Sequence, residues 1–100
     1  VQAHVDVERI KQVHNLVNVP LVLHGASGVP DGIIAQAIAN GIAIINIDTE
    51  IRLAFTKELR IFLASHPDEI DPRKFLHPAI EGVKQAAIKK LKAFKTQNII

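Results

Sequence analysis

The sequence contains no cysteine, methionine, tryptophan or tyrosine, and its only aromatic residues besides histidine are four phenylalanines. Without cysteine there is neither a disulfide framework nor a thiolate metal site, which fits a reducing compartment and a cytoplasmic location. Excess charge is also lacking. Twelve Lys and Arg stand against ten Asp and Glu, a net +2 that is too small to argue for nucleic acid. No apolar run approaches the roughly 20 residues of a membrane span. The opening VQAHVDVERI lacks the basic and apolar regions of a signal peptide. With no initiating methionine, the chain reads as a segment of something longer. What it does have is apolar bulk. Of its 100 residues 48% are hydrophobic, enough for the core of one small domain.

The apolar residues fall into two periodicities. Asp6 can cap a helix carrying Val7, Ile10, Val13 and Val17 at helical spacing, ended by Asn18-Val19-Pro20. Leu21-Val22-Leu23 reads as a short strand buried on both faces. Asp31 can cap a second helix with Ile33, Ile34, Ala37 and Ile38 on one face, stopped by Asn40-Gly41. Ile42 to Ile47, IAIINI, is a second buried-strand run. Asp48 or Thr49 caps a third helix with Ile51, Ala54, Phe55, Leu59 and Phe62 inside. Asp71-Pro72 is a cap followed by proline at the first helical position. After Pro78, the stripe Ile80, Val83, Ala87, Leu91 and Phe94 predicts a long final helix. There is no internal repeat. Strands alternating with helices imply an α/β fold with parallel pairing. Two short strands are not a stable sheet by themselves, so these are expected to be two β/α units of a larger barrel or open sheet.

Ligands in such folds bind at the C-terminal ends of the strands. Those ends carry His24-Gly25-Ala26-Ser27-Gly28 and Asn46-Ile47-Asp48-Thr49. The first supplies an imidazole, glycine N–H groups and a hydroxyl. The second supplies an amide, a hydroxyl and a helix N-terminus, which favours anions. A serine hydrolase elbow needs G-x-S-x-G, and the last glycine is misplaced here.

The segments PLVLHGASGVPD, IINIDTEIRLAFTKELR and DPRKFLHPA resemble, in order and spacing, the C-terminal third of the class II, metal-dependent fructose-bisphosphate aldolases, a family that includes the tagatose-bisphosphate aldolases. The resemblance runs over nearly all of the chain. It implies that residues 1–100 are a C-terminal fragment of one (β/α)8 TIM-barrel domain, holding about the last two strands and their helices. It further implies reversible cleavage of fructose 1,6-bisphosphate to dihydroxyacetone phosphate and glyceraldehyde 3-phosphate. The expected cofactors are zinc and a monovalent cation, sodium or potassium. The expected partners are a phosphorylated ketose and further copies of the chain, as a dimer or tetramer. His24 matches a zinc ligand. Gly25, Ala26 and Ser27 match the loop around one substrate phosphate, with Gly25 and Ser27 also near the monovalent cation. Asn46, Ile47, Asp48 and Thr49 match the second substrate segment, in which Asn46 and Asp48 face the reacting carbons and Thr49 the phosphate. Arg73 matches an arginine that reaches the other phosphate. The remaining zinc ligands and the proton donor of the family lie upstream, so the 100 residues alone are expected to be inactive.

Plainer readings stand beside these. His24 can be a hydrogen-bonded core histidine, Asp48 and Thr49 mere helix caps, and Arg73 a surface residue, although a cation at a helix start is mildly unfavourable. His4, His14, His66 and His77 match no motif and read as surface or packing residues. Lys84, Lys89, Lys90, Lys92 and Lys95 read as a solvated face of the last helix. Two rival functions remain: a tagatose-bisphosphate aldolase, and a non-catalytic phosphosugar-binding module.

Overall fold

The computed structural model describes residues 4–95. The elements run α1 (Val7–Leu16), β1 (Leu21–Leu23), α2 (Asp31–Ala39), β2 (Ile42–Ile45), α3 (Thr49–Ser65) and α4 (Pro72–Ala93). Helix α1 begins where Asp6 accepts the Arg9 N–H at 3.1 Å. Asp71 caps α4 in the same way, accepting from the Arg73 N–H with Pro72 in the first turn.

Strands β1 and β2 pair in parallel, as the alternation of elements predicts, with Leu21 opposite Ile42 and Leu23 opposite Ile45. A register irregularity falls between Leu21 and Val22. β2 ends at Ile45, two residues short of the expected run, but the backbone stays engaged beyond it. The Asn46 N–H donates to Leu23 O at 3.0 Å, and the Ala26 N–H donates to Asn46 O at 3.2 Å. The two polar strand ends are therefore laced together along one edge.

The core lies directly beneath that edge. Ala26, Val29 and Ile34 are fully buried, packed against Leu23, Ile45, Ile47 and Phe94 among others. Elsewhere the burial is one-sided. Val22 and Ile44, expected inside, are 43% and 53% exposed. Each forgoes much of the roughly 1.5–3 kcal/mol that full burial of such a side chain contributes. The radius of gyration is 17.3 Å, against about 13 Å for a self-contained domain of this length.

Three further expectations are corrected. Pro30, not Asp31, precedes α2, and Asp31 forms no cap bond. The last helix, capped at Asp71 as expected, runs unbroken through Pro78 rather than starting its long stretch after it, because α3 packs along it and one missing N–H is a local loss. Its inward face is also rotated from the expected stripe. Ala79 is buried while Ile80 and Leu91 are exposed. A Cβ at Gly82 would lie 2.7 Å from Glu58 Cγ and 3.0 Å from Ala54 O, so the small residues set the line of closest approach between α3 and α4.

Gly41 ends α2 at φ +121°, and a Cβ there would stand 2.6 Å from the His14 ring of α1. Replacing it strains the backbone and displaces the imidazole. Gly41→Ala is expected to destabilise the protein by about 1–3 kcal/mol in chemical denaturation. His14→Ala should relieve the ring clash but not the backbone strain, so the double variant recovers only part of the loss.

Candidate functional site

Two loops build a cleft of about 420 Å³ at the C-terminal edge of the strands. Gly25, Ser27 and Gly28 form one wall, and Asn46 to Glu50 form the other. Gly25 and Gly28 adopt φ +63° and +83°, and a Cβ at either would meet nothing within 4 Å. Backbone conformation, rather than lack of room, calls for glycine. Gly28 is the third residue of the turn Ala26–Val29, closed by the Val29 N–H on Ala26 O at 3.2 Å.

The distribution of N–H groups decides what the cleft can hold. The Ala26 N–H is used by Asn46 O, the Gly28 N–H by Glu50 Oε1 at 2.8 Å, and the Glu50 N–H by Ser27 Oγ at 3.1 Å. Among the described residues no protein acceptor takes the N–H of Gly25, Ser27 or Thr49. Thr49 opens the 17-residue helix α3, whose dipole adds positive potential at that point. The Ser27 hydroxyl, accepting from Glu50, keeps its own proton to donate. The residues that carry these donors line one cleft, an arrangement suited to a phosphate-sized anion.

His24 stands exposed at the end of β1, and the Asn46 amide N–H donates to its Nδ1 at 2.8 Å. In this arrangement the neutral ring carries its proton on Nε2. Turning the amide by 180° presents its oxygen to an Nδ1 proton and frees Nε2 for a cation. Either arrangement ties the imidazole to the second loop. His24 thus fits as one metal donor held by a second residue. Among the described residues no group of three His, Cys, Asp or Glu side chains converges, so it is a single donor.

The other expected residues divide. Ile47 and Thr49 line the cleft, while Ala26 is buried and contributes backbone only. Asp48 lines the cleft but makes no cap bond, contrary to one sequence reading. Its carboxylate accepts from Arg52 Nε at 3.0 Å. The side chain bonding the first turn of α3 is Ser27, from the opposite loop. Arg73 is not brought to the cleft. Its side chain is 90% exposed and paired with Asp71. That pairing pulls the Asp71 carboxyl below its usual range and raises the guanidinium.

Sequence reasoning passed over Glu50 and misplaced Lys90. Rather than facing solvent, the Lys90 side chain is 13% exposed, 3.0 Å from Glu50 Oε2 and 3.3 Å from Asp31 Oδ1. Only the helical register of α4 against the loops reveals this. Partial burial pushes the Glu50 carboxyl up, but the Gly28 N–H and Lys90 outweigh it and hold the carboxyl below its ordinary 4.5. Burial likewise pushes Lys90 down, and its two carboxylate partners outweigh that and raise it above 10.5.

Fold and site together define an α/β unit with an anion-suited cleft at the strand ends. The sequence profile of class-II fructose-bisphosphate aldolases matches residues 1–99, and the chain belongs to that family. It is 40% identical over 91 residues to a probable fructose-bisphosphate aldolase of Bacillus subtilis (strain 168), covering 91% of this chain and 32% of that protein. It is 40% identical over 85 residues to a fructose-bisphosphate aldolase of Geobacillus stearothermophilus, covering 85% and 30%. Its fold matches the crystal structure of the YdjI aldolase from Escherichia coli K12 with a TM-score of 0.77 at 35% identity, over 95% of this chain and 35% of that one. The chain thus spans about a third of the length of these relatives.

A carboxyl depressed on folding stabilises the fold above its unfolded value and loses that contribution as pH falls through its folded value. The Glu50 contribution is therefore expected to be complete near neutral pH, to start falling near its ordinary 4.5 and to be gone only below the lower folded value. Thermal unfolding of wild type and Glu50→Gln across pH 3–7 checks this. Their midpoints should differ at pH 7 and converge at the acid end.

Proposed function

We propose that the chain forms the last two β/α units of a class II aldolase barrel that reversibly cleaves fructose 1,6-bisphosphate to dihydroxyacetone phosphate and glyceraldehyde 3-phosphate. The observation that carries this reading is that Gly25, Ser27 and Thr49, whose N–H groups no described protein acceptor takes, line one cleft next to His24. It fits one ketose phosphate placed next to a metal donor. The neighbours named aldolase, matched over most of this chain, support the same reading.

In this proposal the glycine turn and the start of α3 hold the phosphate, and that remote binding orients the reacting carbons. Asn46 and Asp48, in the second loop, face those carbons and hold their oxygens. His24 would hold a divalent metal, zinc in this reading, with further donors from outside the 100 residues. Such a metal supplies Lewis-acid stabilisation of the negative charge that aldol cleavage leaves on the substrate. Gly25 and Ser27 carbonyls are available to a monovalent cation. Arg73, exposed at the start of α4, would meet the second phosphate across a subunit contact by exchanging its Asp71 carboxylate for phosphate oxygens, its planar fork suited to two oxygens.

Turnover of fructose 1,6-bisphosphate by the full-length protein tests the reading. Activity should be abolished by chelator, restored by zinc, and reduced at least about 1000-fold in His24→Ala, since loss of a ligand removes the Lewis acid. Turnover that survives both treatments contradicts it.

A further inference from the structure

We propose that Glu50 and Lys90 are positioning residues for the anion site: the Glu50 carboxylate, held by Lys90, fixes the glycine turn against the first turn of α3. This rests on the reading that the cleft takes a substrate phosphate.

Glu50 grips the turn twice. Its Oε1 takes the Gly28 N–H at 2.8 Å, and its own N–H donates to Ser27 Oγ at 3.1 Å. The two bonds span neighbouring residues, so together they set both the position and the tilt of the turn. The first is charge-assisted, the stronger kind. The second spends the Ser27 oxygen on the protein and so aims the hydroxyl proton elsewhere. The carboxylate also occupies the Gly28 N–H, which restricts the donors left for an anion to Gly25, Ser27 and Thr49.

Lys90 completes the arrangement. Its Nζ lies 3.0 Å from Glu50 Oε2 and 3.3 Å from Asp31 Oδ1, so the turn, the starts of α2 and α3 and the end of α4 meet at one ammonium. A bare carboxylate beside an incoming phosphate would repel it, and Lys90 offsets that charge. Apolar packing beneath the cleft is a separate contribution, from Ala26, Val29 and Ile34. The geometric effect of the network is on the donors of the cleft.

The test uses the full-length protein with Glu50→Ala, Glu50→Gln and Lys90→Met, reading KM and kcat for fructose 1,6-bisphosphate and calorimetric affinity for inorganic phosphate. Glu50→Ala is expected to raise KM and weaken phosphate binding by about tenfold while kcat changes less than about threefold. Glu50→Gln, which keeps an acceptor for the Gly28 N–H, should recover most of that loss, and Lys90→Met should weaken both constants by about threefold. KM and phosphate affinity unchanged in Glu50→Ala, with only a lower unfolding temperature, would overturn the proposal. If Glu50→Ala does not fold, Lys90→Met decides, and unaltered constants there overturn it equally. A wild type that binds phosphate in a Glu50-dependent way yet turns over no ketose bisphosphate supports the positioning role and removes the aldolase reading. A wild type without phosphate affinity removes both.

Discussion

Parallel pairing of β1 with β2 is the constraint on which everything else depends. Parallel strands end at the same edge, so His24 and Asn46, 22 residues apart in sequence, meet in one hydrogen bond. The crossover helix α2 returns the chain to the starting edge and places its own first residue, Asp31, near the glycine turn. The last ladder bonds run past the strand ends, from Asn46 N–H to Leu23 O and from Ala26 N–H to Asn46 O. They carry the regularity of the sheet into the loops that would hold a ligand.

The same edge is where apolar packing and polar chemistry are joined. Ala26 and Val29, inside the glycine turn, are core residues, while Ser27 and Gly28 between them face the cleft. Burial therefore anchors the turn from below and hydrogen bonds anchor it from the side. A turn fixed in this way has its donors in place before a ligand arrives, which lowers the ordering cost of binding. The opposite situation holds at Val22 and Ile44, whose exposed faces match a sheet that continues in the barrel proposed for the full-length protein.

The element order, the parallel pairing, the caps at Asp6 and Asp71 and the two strand-end clusters were all legible in the sequence, because each follows from local periodicity or local turn chemistry. What escaped it was non-local. The bond that Ser27 supplies to the start of α3 comes from 23 residues away, whereas local spacing points to Asp48. The burial of Lys90 depends on the rotation of α4 about its axis, and small residues at Ala79 and Gly82 set that rotation more than the large apolar ones do. Pro78 reads as a helix boundary because its local penalty is visible, while the compensating contact with α3 is not. Arg73 was singled out by resemblance, and among the described residues its guanidinium bonds to Asp71.

In the proposed function one ketose phosphate sits between the glycine turn and the start of α3. A crystal structure of the full-length protein with dihydroxyacetone phosphate bound tests it most directly. Phosphate oxygens are expected about 3 Å from the Ser27 and Thr49 nitrogens and from Ser27 Oγ, with the Gly28 N–H still on Glu50. A phosphate bound at another edge of the barrel, with these donors left to solvent, would contradict it.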